Sequence, residues 1–204
     1  MKKLLFLLLA IILTAPVIAQ EYGYDNISNA MDKFGIKAGF NFSNISANPT
    51  DNNYQSAFRM PYLGIFSIMN ISPSLKFQGE LGYSKLGADY KLFQNGKPLS
   101  ISLGYLSLGA LLKAYIIQNS TINAGVGLQY GYLISASHDD LDRLDSYKSS
   151  DFDLLVELGY DFNTNLIFEL RYLIGITNIA NTHDIHFSTT KKNNAIQFHF
   201  GWLF

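Results

Sequence analysis

Hydrophobic and polar residues alternate most regularly between residues 152 and 175, on both sides of a short polar segment. Successive side chains of a β-strand point to opposite faces, so each run predicts a strand with one apolar and one mixed face. The intervening Asn163-Thr164-Asn165 is typical of a tight connection between antiparallel strands. The segment therefore predicts a β-hairpin with an apolar outer face, formed by Phe152, Leu154, Val156, Leu158, Tyr160, Leu166, Phe168, Leu170, Tyr172 and Ile174.

The same alternation recurs from Phe34 to the end of the sequence. It predicts six further strands, at about residues 35–44, 60–71, 75–86, 101–116, 122–133 and 195–204. In the second of these the two faces are less distinct, and we assign Leu63, Ile65, Ser67 and Met69 to the outward one. Each of the eight strands is close to the ~9–11 residues that a tilted strand needs to cross a bilayer.

The connections alternate between short and long. Short turns are predicted at Ser72-Pro73-Ser74, Gln118-Asn119-Ser120 and Asn163-Thr164-Asn165, and long polar loops at about 45–59, 87–100, 134–150 and 176–194. Short periplasmic turns, longer outer loops and an even strand number are typical of outer-membrane barrels. The sequence thus predicts an all-β fold, an eight-stranded antiparallel up-and-down transmembrane β-barrel with both chain ends on the periplasmic side.

A soluble barrel of the lipocalin type has the same period, with its apolar face inside. Two features favour the membrane barrel. The second face of the fifth strand is small, with three glycines, an Asn and a Gln between residues 123 and 131, which suits a crowded lumen. Aromatic residues collect near the strand ends, where Tyr and Trp favour the boundary between water and hydrocarbon. The predicted aromatic girdle consists of Tyr83, Tyr130, Tyr132, Phe152, Tyr160, Phe162, Trp202 and Phe204.

The N-terminus has the pattern of a secretory signal. Lys2 and Lys3 precede an apolar segment from Leu4 to Leu13, and small residues end at Ala19. We therefore expect a cleaved signal peptide at 1–19, a periplasmic lead-in at 20–33 and the barrel at 34–204. No later segment of the sequence is apolar for long enough to cross a bilayer as a helix.

The amino-acid composition excludes several classes of partner and chemistry. Charged residues make up 15% of the chain, below the roughly 25% of soluble domains, and aromatic residues make up 14%. A net charge of −1 gives no electrostatic reason to expect nucleic acid as a partner. The absence of cysteine excludes disulfides and thiolate chemistry.

Four segments resemble the PorT-type outer-membrane β-barrel family (porin family) of Bacteroidetes: residues 35–45 (GIKAGFNFSNI), 77–88 (FQGELGYSKLGA), 105–115 (YLSLGALLKAY) and 169–179 (ELRYLIGITNI). The second and fourth predicted strands depart from the family pattern: Ile68 stands where an acidic residue is usual, and Ser107 and Gly109 stand where a Glu-x-Pro pattern is usual. The resemblance implies a barrel in the outer membrane of a Gram-negative bacterium. It also suggests a porin-like or secretion-accessory role, since PorT is implicated in protein secretion.

An eight-stranded barrel has an interior just filled by side chains, so we expect no broad aqueous pore. Inward charges should then pair with one another, because an unpaired internal charge is costly. We expect a structural lumen charge network, whose alternative is a proton or small-ion path, made of Lys37, Glu80, Lys113, Asp153, Glu157, Glu169 and Arg171.

Other candidate sites are weaker. Acidic residues at 139, 140, 142 and 145 lack the spacing of a calcium-binding EF-hand loop, and His183 and His186 form an incomplete metal site. His199 is expected to form hydrogen bonds in the lumen, and a lipid-modifying enzyme would need a nucleophile beside it. We expect no metal site, no cofactor and no enzymatic activity.

The expected partners are the outer-membrane lipid bilayer and the barrel-assembly machinery, which would recognise the aromatic C-terminal strand. The leading hypothesis is a non-enzymatic barrel whose four longer outer loops contact a partner, a ligand or the envelope. Porin-like conduction or a secretion-accessory role remains the alternative.

Overall fold

The computed structural model describes residues 33–48, 51–91, 97–115, 121–139, 141–162, 165–181 and 190–204. These ranges contain eight long antiparallel strands: β1 Lys33–Asn48, β2 Ala57–Ser72, β3 Leu75–Tyr90, β4 Leu99–Tyr115, β5 Ile122–His138, β6 Ser150–Asp161, β7 Leu166–Gly175 and β8 Thr190–Leu203. Two short strands, Tyr54–Gln55 and Leu141–Asp142, and a 3-10 turn at Leu144–Ser146 lie in the connections. No helix in this part of the chain is long and apolar enough to cross a bilayer.

Several predicted features lie outside the described residues. These are the signal peptide at 1–19, the lead-in except for Lys33, the turn at Gln118-Asn119-Ser120, and Asn163 and Thr164 of the hairpin turn.

The sheet closes into a barrel because β8 pairs with β1, while every other strand pairs with its neighbours in sequence. Starting at Phe34, directly paired residues can be followed once around the barrel, back to β1 at Asn44, ten residues further along. Such a stagger means that the strands are tilted against the barrel axis, as closure requires. The predicted fold, a closed eight-stranded antiparallel barrel, is confirmed.

Alternation sorts the side chains as predicted. On the outer face Leu63, Ile65 and Leu128 are 52%, 58% and 59% exposed, while on the inner face Lys37 and Arg171 are buried. The assignment of the two faces of the second strand is also correct, since Phe66 and Ile68, on its inward face, are buried. An apolar exterior around a charged interior excludes the lipocalin-type alternative.

The strands extend further than predicted at one end of the barrel. At the end where the short turns lie, hereafter the turn end, the bounds agree with the prediction to within two residues. At the opposite end, hereafter the loop end, β5 continues from residue 133 to His138 and β3 from residue 86 to Tyr90. The strands β1 to β5 have sixteen or seventeen residues, more than the ~9–11 that cross a bilayer, so we expect this part of the barrel wall to project beyond the membrane at the loop end.

Local irregularities hid this extension in the sequence. In β5 the register shifts opposite Gly104 and Tyr105, and the neighbouring Ile134 and Ser135 are both exposed. In β3 Gly87 has φ of 132°, a conformation that favours glycine, and it lies between buried Leu86 and Ala88. Each irregularity breaks the period of two on which the prediction depended.

Candidate functional site: a layered lumen

Apolar side chains fill part of the lumen at the turn end. Phe66, Ile68, Ile167 and Leu203 form a buried cluster, which we call the turn-end plug. These residues come from β2, β7 and β8 and are at most 6% exposed. The plug fills the side of the lumen formed by these three strands, while Tyr115 and Asn123 both bond to Asp161 at the same end.

Above the plug, six of the predicted charged residues meet in a charged layer: Lys37, Glu80, Lys113, Glu157, Glu169 and Arg171. Lys37 bonds to Glu80 and lies 2.9 Å from Glu169. The Nζ atom of Lys113 is 2.8 Å from carboxylate oxygens of both Glu157 and Glu169. Arg171 donates to Glu80 at 2.5 Å and to Glu157 at 2.6 Å.

The charged layer is electrically balanced. It contains three cationic and three anionic side chains, and each acid contacts at least two of the cations. Gln78 adds bonds to Glu80, Glu169 and Lys113. Buried ions are tolerated when their charges and hydrogen bonds are matched in this way.

Asp153 does not belong to this layer, which corrects the sequence-based network. It faces the lumen, but Leu155 separates it from Glu157 on the same face of β6. Four residues along a strand correspond to about 13 Å, so a shared face does not imply a shared level. Asp153 instead accepts a bond of 3.3 Å from Gln129 and lies near Asp151, a residue absent from the predicted network.

His199 also differs from expectation. Its ring stacks on Tyr62 with a centroid distance of 3.9 Å. Its Nδ1 atom is 3.6 Å from Glu169, too far for an ordinary hydrogen bond, and neither ring nitrogen has a hydrogen-bond partner among the described residues. His199 is fully buried, so it does not face the lipid, where a lipid-modifying enzyme would need it.

The loop end is closed by a larger apolar cluster that the sequence reasoning missed. We call it the loop-end cluster; it begins beside the charged layer at Leu111, Leu155 and Leu173 and includes Ile45, Leu86, Ile101, Leu103, Tyr105, Leu133, Tyr147 and Ile179. Ile45 lies on a strand extension and Tyr147 and Ile179 lie in loops, whereas the other large outer members lie within the predicted strands. The inward face of the predicted fourth strand already includes positions 101 and 103, and this could have indicated the cluster.

Two connections at the loop end fold onto this cluster. Tyr147 forms a bridge with Ala180, and its hydroxyl lies 2.8 Å from Nε2 of His138. Burial raises the pKa of Tyr147 and lowers that of His138. Lys148 donates from its backbone to Ile179, which fixes the connection before β6 to the one before β8.

The residues proposed for the aromatic girdle lie on the outer face at both ends. Rings of Tyr130 and Phe152 contact each other at 4.9 Å near the loop end, as do those of Tyr160 and Phe162 near the turn end. Trp202 and Phe204 are exposed on β8 and just beyond it. The structure adds an aromatic patch between these levels that the girdle prediction omitted: Phe40, Phe42, Phe58, Phe168, Phe198 and Phe200.

The structure gives little support for metal binding by the candidate loops. Asp139 and Asp142 accept backbone N–H bonds from Ser100 and Leu144, so their contacts are those of turns. Asp140, His183 and His186 lie outside the described residues. The described ranges contain no group of three or more His, Cys, Asp or Glu side chains that could hold a metal ion.

Comparison with known proteins supports the fold. The family described as "Outer membrane protein beta-barrel domain" matches residues 21–181. Neisserial surface protein A is similar in structure, with 14% identity and a TM-score of 0.53 over 86% of this chain and 100% of that one. OprG from Pseudomonas aeruginosa is similar with 18% identity and a TM-score of 0.50, over 86% and 97%.

No curated protein matches the sequence. At such low identities the two structures carry information on the fold alone, whereas the family match covers most of the chain. The chain therefore belongs to the outer membrane protein beta-barrel domain family and is a β-barrel protein of the Gram-negative outer membrane.

Proposed function

We propose that this protein is a non-enzymatic barrel whose filled lumen holds its outer loops in a fixed arrangement for contact with a partner, a ligand or the envelope. The observation that carries the proposal is the filling of the lumen by buried side chains. The turn-end plug and the loop-end cluster enclose a charged layer whose charges cancel. A hydrated path would have to pass the loop-end cluster, where water has few polar partners.

The loop end supports the second half of the proposal. The short strand Leu141–Asp142 pairs with β5, and Tyr54–Gln55 pairs with β3, so parts of two outer connections are ordered. Leu141 and Leu144 are 63% and 40% exposed on this ordered segment. Since the segment lies beyond the membrane, these apolar side chains are suited to contact with another molecule.

Planar-bilayer recording tests the closed lumen. We expect the purified protein to insert without a sustained porin-like current. A variant in which Phe66, Leu103 and Leu133 are replaced by serine removes bulk from both apolar clusters and serves as the conducting control. A steady large conductance of the wild-type protein would reject the proposal.

A complementation experiment tests the loop role. A strain lacking the protein receives either the wild-type chain or the variant Leu141→Ser with Leu144→Ser. We expect the variant to reach the outer membrane in normal amounts and to fail to restore the phenotype. Leu158→Ser on the lipid face is the matched control for loss of an exposed leucine, and equal complementation by all three would contradict the loop role.

The resemblance to the PorT-type family of Bacteroidetes supports a second candidate, a secretion-accessory role. Measuring secreted protein in the same deletion strain separates the two candidates, because a loop-binding barrel outside the secretion pathway leaves secretion unchanged. We also propose cleavage of a signal peptide at 1–19, a lead-in at 20–33 and recognition of the C-terminal strand by the barrel-assembly machinery. N-terminal sequencing of the mature protein tests the cleavage.

A further inference from the structure

Asp151 and Asp153, hereafter the acidic pair, are buried in the lumen without a counter-ion. Each is 1% exposed. Within the described part of the chain neither carboxylate forms an ion pair, whereas every acid of the charged layer forms at least two. Two buried carboxylates on the same face of one strand are a strongly unfavourable arrangement unless something compensates their charge.

Neutral donors satisfy the acidic pair only in part. The Thr177 hydroxyl donates to Oδ1 of Asp151 at 2.8 Å, and Nδ2 of Asn193 donates to Oδ2 at 2.7 Å. Nε2 of Gln129 donates to Oδ2 of Asp153 at 3.3 Å, and Oδ1 of Asp153 has no partner among the described residues.

The two amides that contact the acidic pair have unsatisfied oxygens of their own. Oε1 of Gln129 and Oδ1 of Asn193 are buried and lack partners in the described structure, and both residues are at most 2% exposed. Because a half-turn of a terminal amide exchanges its oxygen and nitrogen, each can present oxygen where it now presents nitrogen. Three buried oxygens without donors, on three neighbouring side chains, indicate that the site lacks a positive group.

Two glycines pair with the acidic residues and allow neighbouring groups to pack closely beside them. Gly131 is paired with Asp151 and Gly175 with Asp153. A Cβ atom at Gly175 would lie 2.3 Å from the carbonyl oxygen of Asn193, and one at Gly131 would lie 3.1 Å from the Tyr105 ring. The barrel wall therefore has no side chain between the acids of β6 and the Asn193 amide of β8.

Thr177 connects the acidic pair to the loop end. Thr177 bonds to Asp151 and is itself half-buried, at the start of the connection between β7 and β8. Its hydroxyl also accepts a bond from the backbone of Phe152. The acidic pair therefore lies on the loop-end side of the charged layer, and an ion that binds there does not have to cross that layer.

We propose that the acidic pair holds a hard, oxygen-seeking cation of the calcium class, bound by both carboxylates and by the amide oxygens of Gln129 and Asn193. Calcium takes six to eight oxygen ligands and accepts carboxylates and amide carbonyls in flexible geometry. Its charge matches that of the two carboxylates. This inference goes beyond the proposed function and does not depend on it.

The test uses the full-length mature barrel, refolded in detergent after treatment with a chelator. Native mass spectrometry with added Ca²⁺ counts bound ions, and the unfolding temperature is measured with and without Ca²⁺. The variants are Asp151→Asn and Asp153→Asn, which keep the shape of the side chain. Asp161→Asn is the matched control, because Asp161 lies on the same strand at the turn end and bonds to Tyr115 and Asn123.

We expect the wild-type protein and the Asp161→Asn variant to bind one Ca²⁺ and to unfold at a higher temperature in its presence. Both effects are lost in Asp151→Asn and Asp153→Asn. Failure of the wild-type protein to retain Ca²⁺ would overturn the proposal in favour of a proton shared by the carboxylates. An equal shift in all four proteins would overturn it in favour of ions bound at the outer loops.

Discussion

The two polar regions of the lumen solve the burial of charge in different ways. In the charged layer near the turn end, three acids and three bases from β1, β3, β4, β6 and β7 neutralise one another. In the acidic pair nearer the loop end, the side-chain donors among the described residues are a hydroxyl and two amides. The charges of the first region are balanced by its own side chains, whereas the second region needs an additional positive group to balance its charge.

The difference teaches that inward charge alone does not define a network. Asp153 and Glu157 share a strand, a face and a charge, yet only Glu157 meets Lys113 and Arg171. Leu155 lies between them and, with Leu111 and Leu173, forms an apolar boundary. The energetic roles of the two acids should therefore differ. Four experiments test the two polar regions, the boundary between them and the loop end, from the largest expected effect to the smallest.

Arg171→Met should have the largest effect on stability. It removes the cation that contacts both Glu80 and Glu157 and leaves part of their charge buried without a partner. We expect a loss of about 3–5 kcal/mol in the free energy of unfolding. Urea unfolding in lipid vesicles measures it, with Trp202, the single tryptophan, as the fluorescent reporter. Lys85→Met, on the outer face of β3, is the control, and similar losses in both would refute the role of the charged layer.

Leu155→Ala tests the boundary between the two regions. Leu155 is fully buried, so its truncation leaves a cavity and should cost about 2–5 kcal/mol. Leu158→Ala, on the opposite face of the same strand and 55% exposed, is the matched control. We expect it to cost less than half as much in the same unfolding experiment, and equal costs would mean that the lumen at this level is not close-packed.

The pair Glu157→Gln and Asp153→Asn compares the two regions directly. In a calcium-free medium we expect Glu157→Gln to cost about 1–3 kcal/mol, because Lys113 and Arg171 each lose an ionic partner. Asp153→Asn should be neutral or stabilising under the same conditions, since it removes one of two adjacent buried charges. Equal destabilisation by both variants would show that Asp153 has a cationic partner after all.

Much of the barrel could be predicted because its governing pattern is local. The period of two sorts Ile65 outward and Lys37 inward wherever the backbone is regular. It fails at the bulge beside Ile134 and at Gly87, where one irregular residue changes the parity or breaks the pleat. The strand extensions and the loop members of the loop-end cluster, Tyr147 and Ile179, lie beyond these points, so the pattern could not reveal them.

The contacts within the lumen could be predicted less well, because they depend on register. Alternation gives a residue's face, whereas tilt and stagger give its level among eight strands. Six of the seven predicted residues lie at the same level along the barrel axis and contact one another, whereas Asp153 lies at another level. Asp151 was missed because the strand assignment began at Phe152, one residue too late to include it.

The smallest expected effect concerns the loop end, where Tyr147 packs in the apolar cluster and bonds to His138. Burial lowers the pKa of His138, so the folded loop favours the neutral ring. The stability of this contact is therefore fully present above the ordinary histidine value of about 6.5 and declines as the pH falls below it. We expect cleavage of segment 141–149 by an added protease to accelerate over that range, with the charged layer unaffected because its ion pairs are far from the loop. His138→Gln should abolish the pH dependence, and an unchanged profile in that variant would assign the effect to another group.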